Sequence, residues 1–342
     1  MSRRRKWIGW LAAVAAGILL LATGCSGATP TATVAADPLA PLPLPTVEPV
    51  ALAGRPLRAV ATTSLVGDAV GRVGGAAIDL TTLMPPGQDP HSYQPGAADL
   101  TAAAGADLVF INGWNLEESL VNDLATIGGA VLVPVSAGIT PRPVGGEEHT
   151  GDDHDDEEHA HEGADPHVWQ DVANVIRWVD SIEAALSAAD PANRDTYAAN
   201  ADAYRAELSD LDAFVRQEVA TIPAERRVLV TNHDTFAYFA AAYDFRILGS
   251  VIPGASTLAE PTAANLAALS EAMAAAGACS LFVETTAGDQ LVRTLSEELD
   301  GCDEVAVRTL YSDALGPAGS GADTYPGMVR ANVATLVEAL GR

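Results

Sequence analysis

Short apolar runs alternate with longer alanine-rich stretches from about residue 57 to the end of the chain. The apolar runs have the length and branched composition of buried parallel strands, and the alanine-rich stretches have the length of helices. This alternation predicts an α/β fold with mostly parallel sheets. Strands are predicted at 58–63, 79–84, 107–112, 131–135, 228–231, 245–251, 279–284 and 304–310. Helical segments are predicted between them, for example at 65–74, 97–104, 172–188, 258–276 and 290–299.

One stretch, 193–221, differs from this alternation because its apolar residues recur at steps of three and four. That spacing predicts one long amphipathic helix, which Pro223 would end. At ~1.5 Å per residue the helix would be about 40 Å long, enough to join two lobes as a rigid connector. An ordinary surface helix is the alternative. The predicted buried face consists of Tyr197, Ala201, Tyr204, Leu208, Leu211, Val215 and Val219.

The first 25 residues have the features of an export signal. Three arginines and a lysine precede an apolar run of about 15 residues, which is shorter than the ~20 residues of a membrane-spanning helix. The small residues before Cys25 resemble a lipobox, so Cys25 is the predicted lipidation site and new N-terminus. An uncleaved membrane anchor is the alternative. The proline-rich residues 26–54 are predicted to form an extended tether.

The remaining ~288 residues exceed one typical domain and predict two lobes. We expect an N-terminal α/β lobe over 55–192, the linking helix over 193–221 and a C-terminal α/β lobe over 222–342. An acidic, histidine-rich loop at 146–164 lies within the first lobe.

The charge of the chain is strongly one-sided. Four of the 19 Lys and Arg lie in the leader, so 15 arginines face 45 acidic residues in the rest of the chain, a net charge of −30. This balance argues against a nucleic-acid partner, which would require a basic face. It is compatible with a protein that attracts cations, although acidity by itself mainly favours solubility.

All seven histidines fall into two groups. His91, His167 and His233 are far apart in the sequence, and each lies in a short polar motif. A chain whose histidines are confined to isolated motifs and one acidic loop is predicted to bind a transition metal, above all zinc. The second group lies in the acidic loop and consists of His149, His154, His159 and His161.

The isolated histidines occupy positions where α/β proteins bind ligands. His91 and His233 each follow a predicted strand, as does Asp313, and His167 precedes a predicted helix. Ligands of open α/β sheets gather beyond the carboxyl ends of the strands. If the two lobes face each other, each lobe contributes two of these four residues. Three imidazoles and one carboxylate suit tetrahedral Zn²⁺, and they also accept Mn²⁺, which prefers more oxygen ligands.

Cys279 and Cys302 are the only cysteines that follow Cys25. Outside the cytoplasm such a pair is expected to form a disulfide, with free buried thiols as the alternative. Closing the loop between them would stabilise the fold by ~3 kcal/mol. A thiolate zinc site is disfavoured because neither cysteine has a CxxC neighbour.

Four segments resemble, in order, the metal-binding motifs of the zinc- and manganese-binding solute-binding lipoproteins of metal ABC importers. These segments are 84–95 (MPPGQDPHSYQP), 165–169 (DPHVW), 230–239 (VTNHDTFAYF) and, less sharply, 310–315 (LYSDAL). The segment AEPT at 259–262 is also similar to the family, and the resemblance extends over residues 57–342.

This resemblance implies two pseudo-symmetric lobes bridged by a backbone helix, with one ion in the cleft between them. Manganese-selective members often have Glu where this chain has His233, so the resemblance favours zinc. Some zinc-binding members use water in place of a fourth protein ligand, which leaves the role of Asp313 open.

The sequence therefore predicts an extracytoplasmic, lipid-anchored zinc receptor, expected to be a monomer without enzymatic activity. It would deliver Zn²⁺ to the membrane permease of an ABC importer and its ATPase, with Cys25 as its membrane anchor. A manganese receptor is the alternative of the same type. The histidines of the acidic loop are predicted to bind metal weakly, with a solvated insertion of no essential role as the alternative.

Two other classes of function compete with a receptor. An exported zinc hydrolase would need an open metal position and a general base, but no HExxH motif occurs and four ligands can close the metal shell. For an adhesin, nothing in the sequence indicates a separate binding face.

Overall fold

The structure is a computed structural model that describes residues 37–145, 163–299, 302 and 305–341. It contains two four-stranded sheets, and all their strand pairs are parallel. The N-terminal lobe contains β1 (Leu57–Ala61), β2 (Ile78–Thr82), β3 (Leu108–Ile111) and β4 (Val131–Pro134); the C-terminal lobe contains β5 (Val228–Thr231), β6 (Arg246–Ser250), β7 (Ser280–Glu284) and β8 (Ala306–Leu310). The sheet orders β2-β1-β3-β4 and β6-β5-β7-β8 are equivalent, which confirms two pseudo-symmetric α/β lobes.

Helices connect the parallel strands, as crossovers require. In the N-terminal lobe they are α1 (Ser64–Gly74), α2 (Ala97–Ala104), α3 (Glu118–Ile127) and α4 (Val172–Ala189). After α5 (Arg194–Val219), the C-terminal lobe contains α6 (Ala237–Tyr243), α7 (Ala263–Ala276), α8 (Gln290–Glu298) and α9 (Tyr325–Leu340). Of these, α3, α6 and α9 were not among the predicted helices.

Helix α5 is the predicted long connector. It is 26 residues long, and its buried residues are the seven that the apolar spacing predicts. It packs against α1 and α4 of the first lobe and against α6 and α9 of the second. One apolar core therefore extends from the N-terminal sheet through α4 and α5 into the C-terminal lobe.

The predicted helix at 258–276 begins later than expected, at Ala263. The side chain of Thr262 accepts the backbone N–H of Asn265, and the side chain of Asn265 accepts the backbone N–H of Thr262. This reciprocal cap determines the first turn, so residues 258–262 form a loop instead.

Residues 37–54, here called the N-terminal strap, have no helix or strand and lie along the first lobe. Val47, Val50 and Leu52 pack against the shared core. Several predicted features lie outside the described residues. They are the leader, the predicted lipidation site at Cys25, the first part of the predicted tether, and His149, His154, His159 and His161. Among the described helices, none is long and apolar enough to cross a membrane.

The predicted disulfide is present. Cys279 precedes β7 and is bonded to Cys302, with the two Cα atoms 5.8 Å apart. The bond joins the start of β7 to the connection that leads into β8.

Candidate metal centre

The four predicted ligands come together in one buried cluster. The candidate ligand atoms of His91, His167, His233 and Asp313 all lie within 4.8 Å of one another. The Nε2 atom of His167 is 3.2 Å from that of His91 and 3.3 Å from that of His233. The carboxylate of Asp313 lies 3.7 Å from His167 Nε2 and 3.4 Å from His233 Nε2.

The sheet topology explains this convergence. His233 follows β5 by two residues and Asp313 follows β8 by three, so both leave the carboxyl edge of the C-terminal sheet. His91 follows β2 in the N-terminal lobe, and His167 lies just before α4. The loop that carries His91 is held by Asp89, whose Oδ1 accepts the backbone N–H of His91 at 2.9 Å.

Two buried carboxylates orient two of the imidazoles. Asp165 Oδ1 lies 2.8 Å from His167 Nδ1 and accepts the backbone N–H of His167 at 2.9 Å. Glu284 has the same relation to His233, with Oε2 at 2.8 Å from Nδ1 and Oε1 accepting the backbone N–H at 3.0 Å. An ionised carboxylate only accepts hydrogen bonds, so each one favours a proton on Nδ1 and makes Nε2 the nitrogen that can bind a metal, once any proton on Nε2 has left.

The spacing of these lone pairs suits a cation. Imidazole nitrogen atoms this close need a positive charge between them, which is a proton of His233 in the metal-free cluster and a metal ion in the loaded one. In a tetrahedral zinc site with Zn–N bonds of about 2.0–2.1 Å, neighbouring nitrogen atoms are separated by about 3.3 Å. The observed separations from His167 Nε2, 3.2 and 3.3 Å, agree with this value.

Asp313 is the fourth member of the cluster and the last of the four in sequence. Its side chain is fully buried, and hydroxyl groups lie near both of its oxygens. The hydroxyl of Thr235 is 3.4 Å from Oδ1, and that of Thr286 is 3.4 Å from Oδ2. These weak contacts leave lone pairs on both oxygens for a metal ion.

Burial and charge determine where protons lie in the metal-free cluster. Burial and the neighbouring imidazoles lower the pKa of His91 to about 2, and burial lowers that of His167 well below its usual range. Burial opposes the charged form of His233 as well, but Glu284 and Asp313 raise its pKa to about 10. Burial raises the pKa of Asp313 to about 7. A metal ion that binds here therefore displaces protons.

Hydrogen bonds join the two lobes behind the cluster. Trp169 Nε1 donates to the carbonyl of Ser312, which precedes Asp313, at 2.9 Å. Tyr325 Oη donates to the carbonyl of Trp169 at 2.6 Å, and the backbone N–H of Leu315 donates to Ser64 Oγ at 3.0 Å. These bonds connect the ligand-bearing segments of both lobes.

Sequence reasoning missed Asp165 and Glu284 as partners of the ligands. Glu284 is the last residue of β7 and lies at the same carboxyl edge of the sheet as Asp313. The strand-end rule could therefore have identified Glu284. Asp165 stands two residues before His167, at the spacing by which a carboxylate accepts a nearby backbone N–H.

Comparisons with known proteins agree with this site and fold. The zinc-binding protein TroA of Treponema pallidum is 34% identical over 84% of this chain and 90% of its own length. The manganese-binding lipoprotein MntA of Halalkalibacterium halodurans is 32% identical over 84% of this chain and 90% of its own length. The solved structure of the Treponema pallidum periplasmic zinc-binding protein TroA superposes with a TM-score of 0.72, covering 84% of this chain and 100% of that one at 32% identity.

The family described as the periplasmic zinc-uptake complex component A (ZnuA) matches residues 59–339, which include both lobes and all four residues of the cluster. The chain therefore belongs to the ZnuA family of metal-binding receptors of ABC importers.

Proposed function

We propose that this protein is an extracytoplasmic zinc receptor that binds one Zn²⁺ between His91, His167, His233 and Asp313. The convergence of three Nε2 atoms carries this proposal, because their spacing from His167, 3.2 and 3.3 Å, suits tetrahedral zinc. Asp165 and Glu284 support it because each holds an imidazole in the tautomer that can bind a metal.

Zinc is preferred over manganese because of the donor set. Imidazole nitrogen suits zinc, whereas manganese prefers carboxylate, carbonyl and water oxygens. Asp313 is the one oxygen-bearing member of the cluster. A manganese receptor is the second candidate, because the similar lipoprotein MntA is described as manganese-binding.

In the cell, the bound ion would pass to a membrane permease driven by an ATPase. Lipidation at Cys25 would hold the receptor at the membrane, where we expect it to act as a monomer. The acidic loop with His149, His154, His159 and His161 would hold zinc weakly, as histidine-rich segments do.

Metal analysis of the purified mature chain tests the choice of ion. After loading with equal concentrations of Zn²⁺ and Mn²⁺ and extensive dialysis, we expect one tightly held zinc per chain. His233→Ala should lose this ion, because a ligand is removed. If His233→Ala binds zinc as the unchanged protein does, the ligand set is wrong; if manganese displaces zinc, the second candidate is right.

An exported zinc hydrolase makes the opposite prediction for Asp313→Ala. A receptor should bind zinc more weakly in this variant, because four protein ligands close the metal shell. An enzyme in which Asp313 is the general base should keep its zinc and lose turnover. Zinc affinity and hydrolysis of ester and peptide substrates, measured on the same sample, separate these outcomes.

A further inference from the structure

The N-terminal strap, residues 37–54, lies outside the residues that match the family, 59–339. It is nevertheless fastened to the first lobe at two points. The backbone N–H of Gly138 donates to the carbonyl of Leu42 at 2.9 Å, and the backbone N–H of Val50 donates to the carbonyl of Ala189 at 2.8 Å. Its apolar side chains add contacts with the core. The strap is therefore built as part of the lobe.

The strap lies on a strained loop that follows β3, residues 112–117. Gly113 has a φ of +108°, and the next two residues, Trp114 and Asn115, have φ values of 46° and 61°. Residues other than glycine rarely adopt this left-handed backbone region, so the surrounding structure must hold Trp114 and Asn115 there.

Contacts on two sides hold this loop. On the inner side, Glu117 Oε1 accepts the backbone N–H of Asn112 at 2.7 Å, and Asn112 Nδ2 donates to the carbonyl of Pro166 at 2.9 Å. On the outer side, Leu42 of the strap covers Gly113. A Cβ atom at Gly113 would lie only 2.5 Å from Leu42 Cδ1, so the strap uses the space that this glycine leaves.

The loop and the strap together line one side of an open cavity beside the metal cluster, which we take as its entrance. A cavity of about 550 Å³ reaches His91, and Pro38 of the strap lines it beside Trp114 and Asn115. Pro253 and Ser256 of the C-terminal lobe form the facing wall. Of the four residues of the cluster, His91 is the one that lines this cavity, and it is 3% exposed whereas the other three are 0% exposed.

We propose that the strap is a positioning element of this entrance: Leu42 holds the loop at 112–117 so that Trp114 stays in the wall beside His91. The inference rests on the proposed function, because it concerns the passage of a metal ion to the cluster. The strap lines the entrance and supplies none of the four ligands. Loosening it should therefore speed both uptake and release of the ion and leave the Kd nearly unchanged.

Two leucines of the strap provide a matched pair. Leu42 is half-buried against Gly113, whereas Leu44 is 40% exposed. Leu42→Ser in the full mature chain should accelerate zinc uptake and zinc release to a chromophoric chelator by about tenfold, the effect of losing the packing of a half-buried leucine. Leu44→Ser and the conservative Leu42→Met should behave like the unchanged protein. Leu42→Ala serves if the serine variant does not fold.

Acrylamide quenching of tryptophan emission tests the position of Trp114 without metal. Trp114 is partly exposed, whereas Trp169 and Trp178 are at most 1% exposed. We expect stronger quenching in Leu42→Ser than in Leu44→Ser, and this difference should vanish when both carry Trp114→Phe.

Equal quenching in the two variants would show that the strap does not hold Trp114 and would overturn the inference. Altered quenching with unchanged zinc exchange rates would overturn it as well, because the strap would then be only structural. If the unchanged protein binds no zinc at the cluster, the proposed function fails instead. The quenching comparison still tests the hold on Trp114 in that case.

Discussion

The orientation of His233 by Glu284 leads to a quantitative prediction for Glu284→Gln. Oε1 of the carboxylate accepts the backbone N–H of His233 at 3.0 Å, and Oε2 lies 2.8 Å from Nδ1, at ion-pair distance. Glutamine has one oxygen and one NH₂ group, so it can accept only on one side. If its NH₂ group faces Nδ1, the imidazole proton moves to Nε2 and blocks the metal.

Loss of such a partner typically weakens metal binding 10- to 100-fold. We therefore expect the zinc Kd of Glu284→Gln to rise by this factor, which corresponds to about 1.4 to 2.8 kcal/mol. Both side chains are fully buried, so water does not replace the lost contact readily. The size of the effect should accordingly lie nearer the upper end of the range.

Competition titration against a chelator of known affinity measures this change. Thermal unfolding of the metal-free variant shows whether the fold is retained. Glu271→Gln, an exposed change on α7, is the matched control and should leave the Kd unchanged. A Kd for Glu284→Gln equal to that of the control, with the fold intact, would refute the role assigned to Glu284.

Three further predictions concern the cleft, the protons and the acidic loop. Thr257 Oγ1 donates to Asp89 Oδ2 across the lobes at 2.7 Å. Thr257→Val removes this bond and should speed zinc release, measured by stopped-flow chelation. Thr257→Ser keeps the hydroxyl and should release zinc at the rate of the unchanged protein. Zinc affinity should fall from about pH 8 to about pH 5, and it should fall more steeply below neutral pH. The pKa values of His233 and Asp313 are about 10 and about 7, so zinc must displace one proton above neutral pH and two protons below it. Calorimetry that finds a constant affinity would contradict the ligand set. Deleting residues 147–162 should lower the number of weakly bound zinc ions and retain the tight one, and an unchanged stoichiometry of one before and after the deletion would show that the loop binds none.

Much of the architecture could be predicted from local patterns. The apolar spacing of 193–221 identified the seven buried residues of α5, because an amphipathic helix repeats every three to four residues. The short apolar runs identified the eight strands of the described part of the chain, since strands buried on both faces are continuously hydrophobic. Helix starts were less predictable, as the reciprocal cap of Thr262 and Asn265 shows.

The strap illustrates a feature that local patterns do not contain. Its prolines predict an extended conformation, and that conformation suits a free tether equally well. Its attachment depends on the space beside Gly113 and on the N–H of Gly138, which donates to Leu42. Both glycines lie in loops far from the strap in sequence. Only the folded lobe brings these groups to the strap.

The sequence by itself determined the chemistry of the metal centre, since it named three histidines and an aspartate at strand ends and loops. Tertiary structure decided whether they meet. His91 and His233 are separated from His167 by 76 and 66 residues, and yet their Nε2 atoms lie 3.2 and 3.3 Å from it. Such closeness requires the carboxyl edges of two sheets to face each other around α5 and one shared core. It also requires Asp165 and Glu284 to orient the rings of His167 and His233, because a lone pair binds a metal only when it points at the metal.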